Sequence, residues 1–450
     1  MMAEIIPFRA LRYDPQLVPD LAKVVTPPYD VISPDAQERY YARHSYNVIR
    51  LILARDAPPG SARGTRYEAA SRTYAAWRRD GVLRRDAAPT LYLYDQEFPW
   101  EDGRRLRRRG LLAMLRLHDY ADGVVFPHER TFSRHKDDRL QLMRACPANL
   151  EAILGFTPGP NPAVGTILDR YMETDPAIRL VDEDGIGHRI WLLQAPAEVA
   201  AIQAALRDRP VVIADGHHRY ETALNFRDER QTRDPAPPEV ARRRLDSFVL
   251  MNLVLADDPG LVILPTHRVI RGRPACLGEP LRATLRRHFA ITAFPLDAAD
   301  PLPWLRRALD DLGRRKGIAC GLYAGGPEVL VLELVDESIP QILRAEGRAP
   351  EYARLDVAVL HRLVIEGILE IPAAQQSDDA IQYTRDEAEA LRAVRSGEAP
   401  LAFFLNSPRV DQVPAVAMAG ERMPQKSTFF FPKVLSGLVI SPLDPGELAS

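Results

Sequence analysis

Cysteine and lysine are scarce in this chain of 450 residues, and long apolar runs are missing from it. The three cysteines, Cys146, Cys276 and Cys320, lie far apart without a CxxC pair, which excludes a disulfide framework and a zinc knuckle. No segment approaches the roughly 18 apolar residues that a membrane-spanning helix needs. The first residues contain no apolar segment of signal-peptide length. We therefore expect a soluble, cytoplasmic protein with no membrane partner.

An excess of positive charge is also missing. The formal net charge is −2, which argues against a nucleic-acid partner bound through a global positive field. Only five of the 59 basic residues are lysines, so each lysine is of interest. The apolar fraction of 46% indicates a globular chain, and the chain length predicts about two domains.

The order of helix and strand segments predicts an α+β protein. A change of composition at RGRPACLGEP divides it into an N-terminal region of residues 1–272 and a C-terminal α/β region of residues 273–450. In the first region, SPDAQERYYARH predicts a helix capped by Ser33 with Pro34 at its first position, and NVIRLIL predicts a strand. The segments TLYLYDQEF and RRRGLLAMLRLHDY predict a hairpin, and the C-terminal region alternates helices with strands.

The segment VVIADGHHRYETAL, residues 211–224, predicts a strand, a glycine turn and a helix. The first N–H groups of a helix lack partners and favour an anion, and Gly216 lets a phosphate approach the backbone after Asp215. Arg219 adds a guanidinium that can form two parallel hydrogen bonds. His217 and His218 lie beside it as donors or proton carriers. These five residues therefore predict a phosphate-binding site.

Two other interpretations of this turn are open. In the first, Arg219 pairs with Glu221 or Asp215, and the histidines cap the helix or pack in the core. In the second, the histidines bind a metal ion, but adjacent residues on a helix diverge by about 100°, which disfavours that arrangement. We therefore assign no metal ligands.

Two segments supply candidate general bases for a hydroxyl group. TPPYDVIS presents Asp30 after a rigid Pro-Pro-Tyr bend, and FPHERTF places Glu129 next to His128. A general base must lie within hydrogen-bond reach of the proton that it removes, and either carboxylate could do so. A solvated charged loop is the alternative for each segment.

Further basic residues could contact phosphate. In LPTHRVI, His267 and Arg268 are predicted at the end of the strand LVIL, where they could converge with the glycine turn. ERMPQKSTFFFPK contains two of the five lysines, and Lys426 could reach phosphate from this loop. The letters KST there lack the upstream glycines of a Walker motif, so that motif is excluded.

The box from Gly216 to Arg219 resembles the phosphate-binding box of the ParB and sulfiredoxin-like superfamily, which reads Gly-Glu-Arg-Arg in ParB proteins and Gly-Cys-His-Arg in sulfiredoxin. Gly216 and Arg219 match both versions, and His218 matches the sulfiredoxin histidine. His217 stands in place of the reactive cysteine, which argues against sulfinic-acid repair. Free-serine kinases that use ADP or ATP have a similar box. From PFRALRYDP to GERMPQKSTFFFPK, the chain also resembles an uncharacterised bacterial family related to these proteins.

The resemblance implies a nucleotide-binding core in the first region and a phosphotransferase that uses ATP or ADP with Mg²⁺. Its acceptor would be a small hydroxylated metabolite, of which free L-serine is one. Arg219 would hold phosphate, His217 or His218 would donate to it, and Glu129 or Asp30 would accept the hydroxyl proton. The alternatives are a ParB-like nucleotide switch or hydrolase without a small-molecule acceptor, and an inactive scaffold.

Overall fold

The structure is a computed structural model that describes residues 3–56, 64–100, 103–131, 133–272, 274–372, 380–444 and 446–449, without the side chains of residues 133–135. Backbone contacts divide the chain into two units. The first unit comprises Met1–Pro127, Thr131–Leu261 and Pro432–Ser450, and the second comprises His128–Arg130 and Val262–Phe431. Both contain helices and mixed or antiparallel sheets, which confirms the predicted α+β class.

The bounds of the strands follow in chain order. They are β1 (Ile5–Ile6), β2 (Leu11–Tyr13), β3 (Leu83–Arg85), β4 (Leu91–Pro99), β5 (Arg105–Arg116), β6 (Val125–Phe126), β7 (Ala148–Asn149), β8 (Ile153–Thr157), β9 (Ile178–Val181), β10 (Gly187–Leu193), β11 (Val211–Asp215), β12 (Phe248–Leu255), β13 (Val262–Leu264), β14 (His267–Ile270), β15 (Phe289–Pro295), β16 (Ala319–Tyr323), β17 (Glu328–Leu334), β18 (Ile381–Thr384), β19 (Leu401–Leu405), β20 (Phe429–Phe431) and β21 (Ser441–Pro442).

The helices are bounded in the same way. They are α1 (Pro34–Arg43), α2 (Ile49–Ile52), α3 (Arg66–Arg79), α4 (Ser133–Ala145), α5 (Pro162–Met172), α6 (Pro196–Leu206), α7 (His217–Arg233), α8 (Pro238–Arg243), α9 (Gly278–Leu285), α10 (Leu302–Arg314), α11 (Ser338–Ala345), α12 (Pro350–Ala353), α13 (Asp356–Val359), α14 (Glu387–Arg395) and α15 (Gln412–Met418), with a π-helix at Leu360–Ile368. No helix in the described part of the chain combines the length and the apolar character needed to cross a membrane.

The first unit is built on a nine-stranded sheet in the order β6-β11-β8-β12-β5-β4-β10-β9, with β1 paired to β5. The predicted hairpin is present, since β4 and β5 are antiparallel with Tyr92 opposite Leu112. Apolar residues of these strands and of α5, α6 and α7 form one buried core. Helix α1 begins as predicted, with the Ser33 hydroxyl accepting a hydrogen bond from the backbone N–H of Ala36 (3.2 Å). Strand β11 lies between β6 and β8 in this sheet, and α7 follows it directly along the chain.

The prediction of a strand at NVIRLIL is wrong, because Ile49–Ile52 forms the short helix α2. The side chain of Asn47 accepts a hydrogen bond from the backbone N–H of Ile49 (2.9 Å), which starts the helical turn. Ile49, Leu51 and Ile52 are all buried, so the apolar run reflects burial on every side instead of strand periodicity.

The C-terminal residues 432–450 return to the first unit, which differs from the division at residue 272 that the sequence predicts. Strand β21 pairs with β7, and the backbone of Leu11 exchanges hydrogen bonds with Ile440. Residues 262–272 belong to the second unit, because β14 lies in its sheet.

The second unit contains a six-stranded sheet in the order β15-β17-β16-β19-β14-β18. The predicted alternation is confirmed by α9, β15, α10, β16 and β17, which follow one another along the chain. Helices α10 and α14 pack on this sheet around buried residues such as Leu305, Leu312 and Leu391. In addition, β13 pairs with β20 as a separate two-stranded sheet.

Candidate functional site

A tight turn joins β11 to α7 in the first unit. Strand residues 211–214 are buried, Gly216 has a φ of +93°, and the 17-residue helix α7 begins at His217. A Cβ at Gly216 would lie 2.9–3.0 Å from atoms of the Arg219 guanidinium. Both the left-handed backbone and the close guanidinium therefore require glycine here. The predicted strand, turn and helix are confirmed.

Arg219 lies against this turn and is only 8% exposed. Its Nη2 donates to Oδ2 of Asp215 (2.7 Å), and its Nη1 donates to the carbonyl oxygen of Ala152 (2.5 Å). The pairing of Arg219 with Asp215, which the sequence left open, is therefore present. Contact between Arg219 and a phosphate remains a prediction, because both nitrogens already have protein acceptors.

Lys433 completes the turn from the C-terminal segment, since its ammonium contacts Oδ1 of Asp215. Burial alone would raise the pKa of the Asp215 carboxyl, but Lys433 and Arg219 lower that pKa well below its usual range. One carboxylate is thus shared by two cations at the positive end of a helix. Sequence reasoning named Lys426 as a possible phosphate contact and missed Lys433, although the scarcity of lysine drew attention to both residues.

Asp30 is the predicted acid that lies near this cluster. It follows Pro27 and Pro28 in a 3-10 helix at Tyr29–Val31, and its side chain is exposed. Burial alone would lower the pKa of the Arg219 guanidinium. Nearby carboxylates raise that pKa overall, and Asp215 contributes most, followed by Glu151 and Asp30. A solvent-exposed carboxyl group therefore lies within electrostatic range of the buried Arg219.

Glu151 holds the surrounding segments together, and sequence reasoning missed it. Its Oε1 accepts hydrogen bonds from the backbone N–H of Tyr29 (3.0 Å) and from the hydroxyl of Ser436 (3.2 Å). Burial raises the pKa of Glu151, while Arg219 and Arg139 oppose that rise. The Asp30 loop and the Lys433 segment are thus tied to one buried carboxyl group. No local motif marks Glu151 in the sequence.

The two histidines occupy the first turn of α7. His217 is buried, and its charge contributes to the lowered pKa of Asp215. His218 is half-buried. Glu221 does not pair with Arg219, because its Oε2 accepts hydrogen bonds from Lys136 (2.9 Å) and from the Thr131 hydroxyl (2.7 Å). The histidines remain candidate donors to a phosphate.

Four predicted site residues, Glu129, His267, Arg268 and Lys426, belong to the second unit. The Thr428 hydroxyl donates to Oε1 of Glu129 (3.1 Å) and lies 2.7 Å from Nε2 of the buried His128. His128 is therefore buried, and Glu129 is hydrogen-bonded but only partly buried. Lys426 is exposed with a φ of +54°. The binding and catalytic roles of these residues remain predictions.

The prediction that His267 and Arg268 end a strand is wrong, because they begin the separate strand β14. Pro265 has no backbone N–H, and β13 and β14 pair with different strands on either side of it. Burial lowers the pKa of His267 to about 4, and its Nδ1 accepts from the backbone N–H of Leu405 (3.3 Å). Arg268 is fully buried and donates to the carbonyl oxygen of Thr266.

Asp356 of the second unit is a buried carboxyl group whose pKa can be tested. Burial raises its pKa from 3.8 to about 6, although the backbone N–H of Ala319 donates to it (3.3 Å). The folded chain therefore binds this proton more tightly than the unfolded chain, and stability falls as the pH rises from 3.8 through about 6.

We expect Asp356→Asn to raise the free energy of unfolding more at pH 8 than at pH 5, by about 1.4 kcal/mol, because pH 5 lies about one pH unit below the folded-state pKa of about 6. Thermal denaturation followed by circular dichroism at both pH values measures this. An equal change at both pH values would contradict the raised pKa.

Metal binding by protein side chains alone has no support in the described residues, where no group of three or more His, Cys, Asp or Glu could hold an ion. Mg²⁺ bound together with a nucleotide needs fewer protein ligands, commonly one or two carboxylates.

Comparison with known proteins gives the family. Residues 5–358 match the family described as "Protein of unknown function (DUF1015)", and the chain belongs to it. No curated protein matches the chain.

Three solved structures show weak similarity to the chain. A conserved hypothetical protein from Pyrococcus furiosus is 12% identical with a TM-score of 0.30, over 68% of this chain and 86% of that protein. A free serine kinase variant in complex with ADP is 11% identical with a TM-score of 0.31, over 68% and 83%. SbnI with a C-terminal truncation, from Staphylococcus aureus, is 11% identical with a TM-score of 0.32, over 74% and 87%. These values support no conclusion about function.

Proposed function

We propose that the first unit binds the phosphate groups of ATP or ADP at the amino end of α7 and transfers a phosphoryl group to a hydroxyl of a small metabolite. The observation that carries this proposal is the sharing of Asp215 by Arg219 and Lys433 at that end of the helix. Arg219, Lys433 and the positive helix end favour an anion, while Asp215, Glu151 and Asp30 offset part of that positive charge. The matches of Gly216 and Arg219 support a core of the ParB and sulfiredoxin type.

The cations and the helix supply the binding of phosphate. In phosphoryl transfer, most of the rate comes from positioning and from neutralising charge on the phosphoryl oxygens. Arg219 and Lys433 neutralise that charge, the first N–H groups of α7 hold the oxygens, and His217 or His218 donates a further hydrogen bond. Mg²⁺, when bound with the nucleotide, would neutralise charge on neighbouring phosphates.

Asp30 supplies the acid-base chemistry. The acceptor oxygen forms a bond to the terminal phosphorus, the bond from that phosphorus to the nucleotide oxygen breaks, and the hydroxyl proton passes to the Asp30 carboxylate. The exposure of Asp30 supports this role, because an acceptor must reach it from solvent. Glu129 is the second candidate for the base, and free L-serine is the acceptor that we test first.

Binding and turnover measured together test this function. Calorimetry with ATP, ADP and CTP, each with and without serine, should show tight binding of an adenine nucleotide. Mass spectrometry of the same mixtures should show phosphoserine or another phosphorylated hydroxyl compound in step with nucleotide loss. Nucleotide consumption that ignores every hydroxylated acceptor would favour the switch or hydrolase. Absence of binding by all three nucleotides would refute the phosphate site.

A further inference from the structure

Among the polar residues buried within the main sheet of the first unit, two side chains form a connected pair. Gln96 on β4 and Arg108 on β5 are directly opposite each other, and both have no exposed surface. Burying a guanidinium carries a large desolvation penalty unless good hydrogen bonds offset it. Burial lowers the pKa of Arg108 to about 10, and the charges of Tyr94, Asp258 and Asp215 oppose this shift.

Both side chains donate hydrogen bonds to the backbone at Pro432 and Lys433. Nε2 of Gln96 donates to the carbonyl oxygen of Lys433 (2.9 Å). Nη2 of Arg108 donates to the carbonyl oxygen of Pro432 and to Oε1 of Gln96. The bond to Oε1 fixes the amide orientation of Gln96, so that its nitrogen faces Lys433. Two successive carbonyl groups are thus held by one connected pair of side chains.

We infer that Arg108 and Gln96 are positioning residues that fix the Pro432–Lys433 backbone, so that the Lys433 ammonium is aimed at Asp215 and at a bound phosphate. This inference rests on the proposed function. The two carbonyl bonds fix the point from which the flexible four-carbon stem of Lys433 starts, and the Asp215 contact then selects the rotamer that reaches the turn. Further along the chain, the segment is held by the hydrogen bond from Ser436 to Glu151 and by the pairing of β21 with β7. Neither contact involves the carbonyl groups of Pro432 and Lys433.

A double-mutant cycle on nucleotide affinity tests whether Arg108 acts through Lys433. Arg108→Met and Lys433→Met should each weaken ADP or ATP binding about tenfold or more, as expected for loss of a charge-assisted contact. The double variant should bind no more weakly than the weaker single variant. Losses that multiply in the double variant would overturn the inference, because a general structural effect of Arg108 would be independent of Lys433. Arg244→Met, which removes another buried arginine paired with Asp234, is the control and should keep affinity.

The ammonium signal of Lys433 gives a readout that needs no nucleotide. In protein labelled with ¹⁵N-lysine, the five lysines give at most five side-chain signals, and Lys433→Arg identifies the one of Lys433. That signal should shift or broaden in Gln96→Met, which removes the bonds of Gln96 to Lys433 and to Arg108 but keeps the guanidinium. This variant serves if Arg108→Met does not fold. An unchanged signal in Gln96→Met would refute the positioning role. If the signal responds while Lys433→Met keeps full nucleotide affinity, the proposed function fails and the positioning role stands.

Discussion

Asp30→Asn is expected to lose about a hundred- to ten-thousand-fold in phosphoryl-transfer rate while nucleotide affinity stays close to that of the wild type. The physical reason is that asparagine keeps the shape of the side chain but cannot take the acceptor proton. In the proposed mechanism, the base acts in the transition state, whereas Arg219 and Lys433 hold phosphate in the ground state, so kcat should fall without a matching change in nucleotide binding. Single-turnover formation of the phosphorylated acceptor and calorimetry of the same variant measure the two quantities.

Two further variants test whether the loss of rate is specific to the Asp30 carboxylate. Asp208→Asn removes an exposed carboxylate from the loop after α6 and should retain full activity. Glu129→Gln addresses the other candidate base. If Glu129→Gln loses turnover while Asp30→Asn keeps it, Glu129 is the base and our assignment of Asp30 is wrong. Full activity in both variants would exclude both carboxylates.

Arg219→Ala should weaken nucleotide binding by about 1.5–3 kcal/mol, which corresponds to roughly a ten- to 150-fold rise in Kd. The same change should lower stability, because the Ala152 carbonyl and the Asp215 carboxylate both lose a donor. Calorimetry with ADP or ATP gives the affinity, and thermal denaturation gives the stability.

Arg219→Lys is the matched variant, because it keeps the charge but not the two-nitrogen geometry, and should recover part of the affinity. If Arg219→Ala does not fold, Lys433→Met carries the test of phosphate binding. A folded Arg219→Ala protein with unchanged affinity would remove the phosphate site from consideration.

Local features of the site could be predicted from the sequence, because their causes lie within a few residues. The apolar run before Asp215, the turn at Gly216 and the start of α7 each have a short-range signal, and the structure contains all three. The hairpin of β4 and β5 and the cap at Ser33 follow for the same reason.

Contacts between distant segments could not be predicted. Lys433 lies 218 residues from Asp215, and Tyr29 lies 122 residues from Glu151, so no periodicity or motif connects them. At NVIRLIL, β-branched residues favoured a strand. A local hydrogen bond from the Ile49 N–H to the Asn47 side chain, together with burial on every side, favours a helix instead. At LPTHRVI, Pro265 divides what reads as one strand, and only the pairing partners reveal two.

The return of residues 432–450 to the first unit has a consequence for synthesis on the ribosome. The ribosome makes residues 262–431 before it adds Lys433, and at about 5–20 residues per second these 170 residues take roughly 10 to 30 s. During that interval the nascent chain already contains Asp215 and Arg219 but has no ammonium to share the carboxylate. A growing chain therefore cannot yet use Lys433 at this turn, and the nucleotide site that we propose would be completed only late in translation.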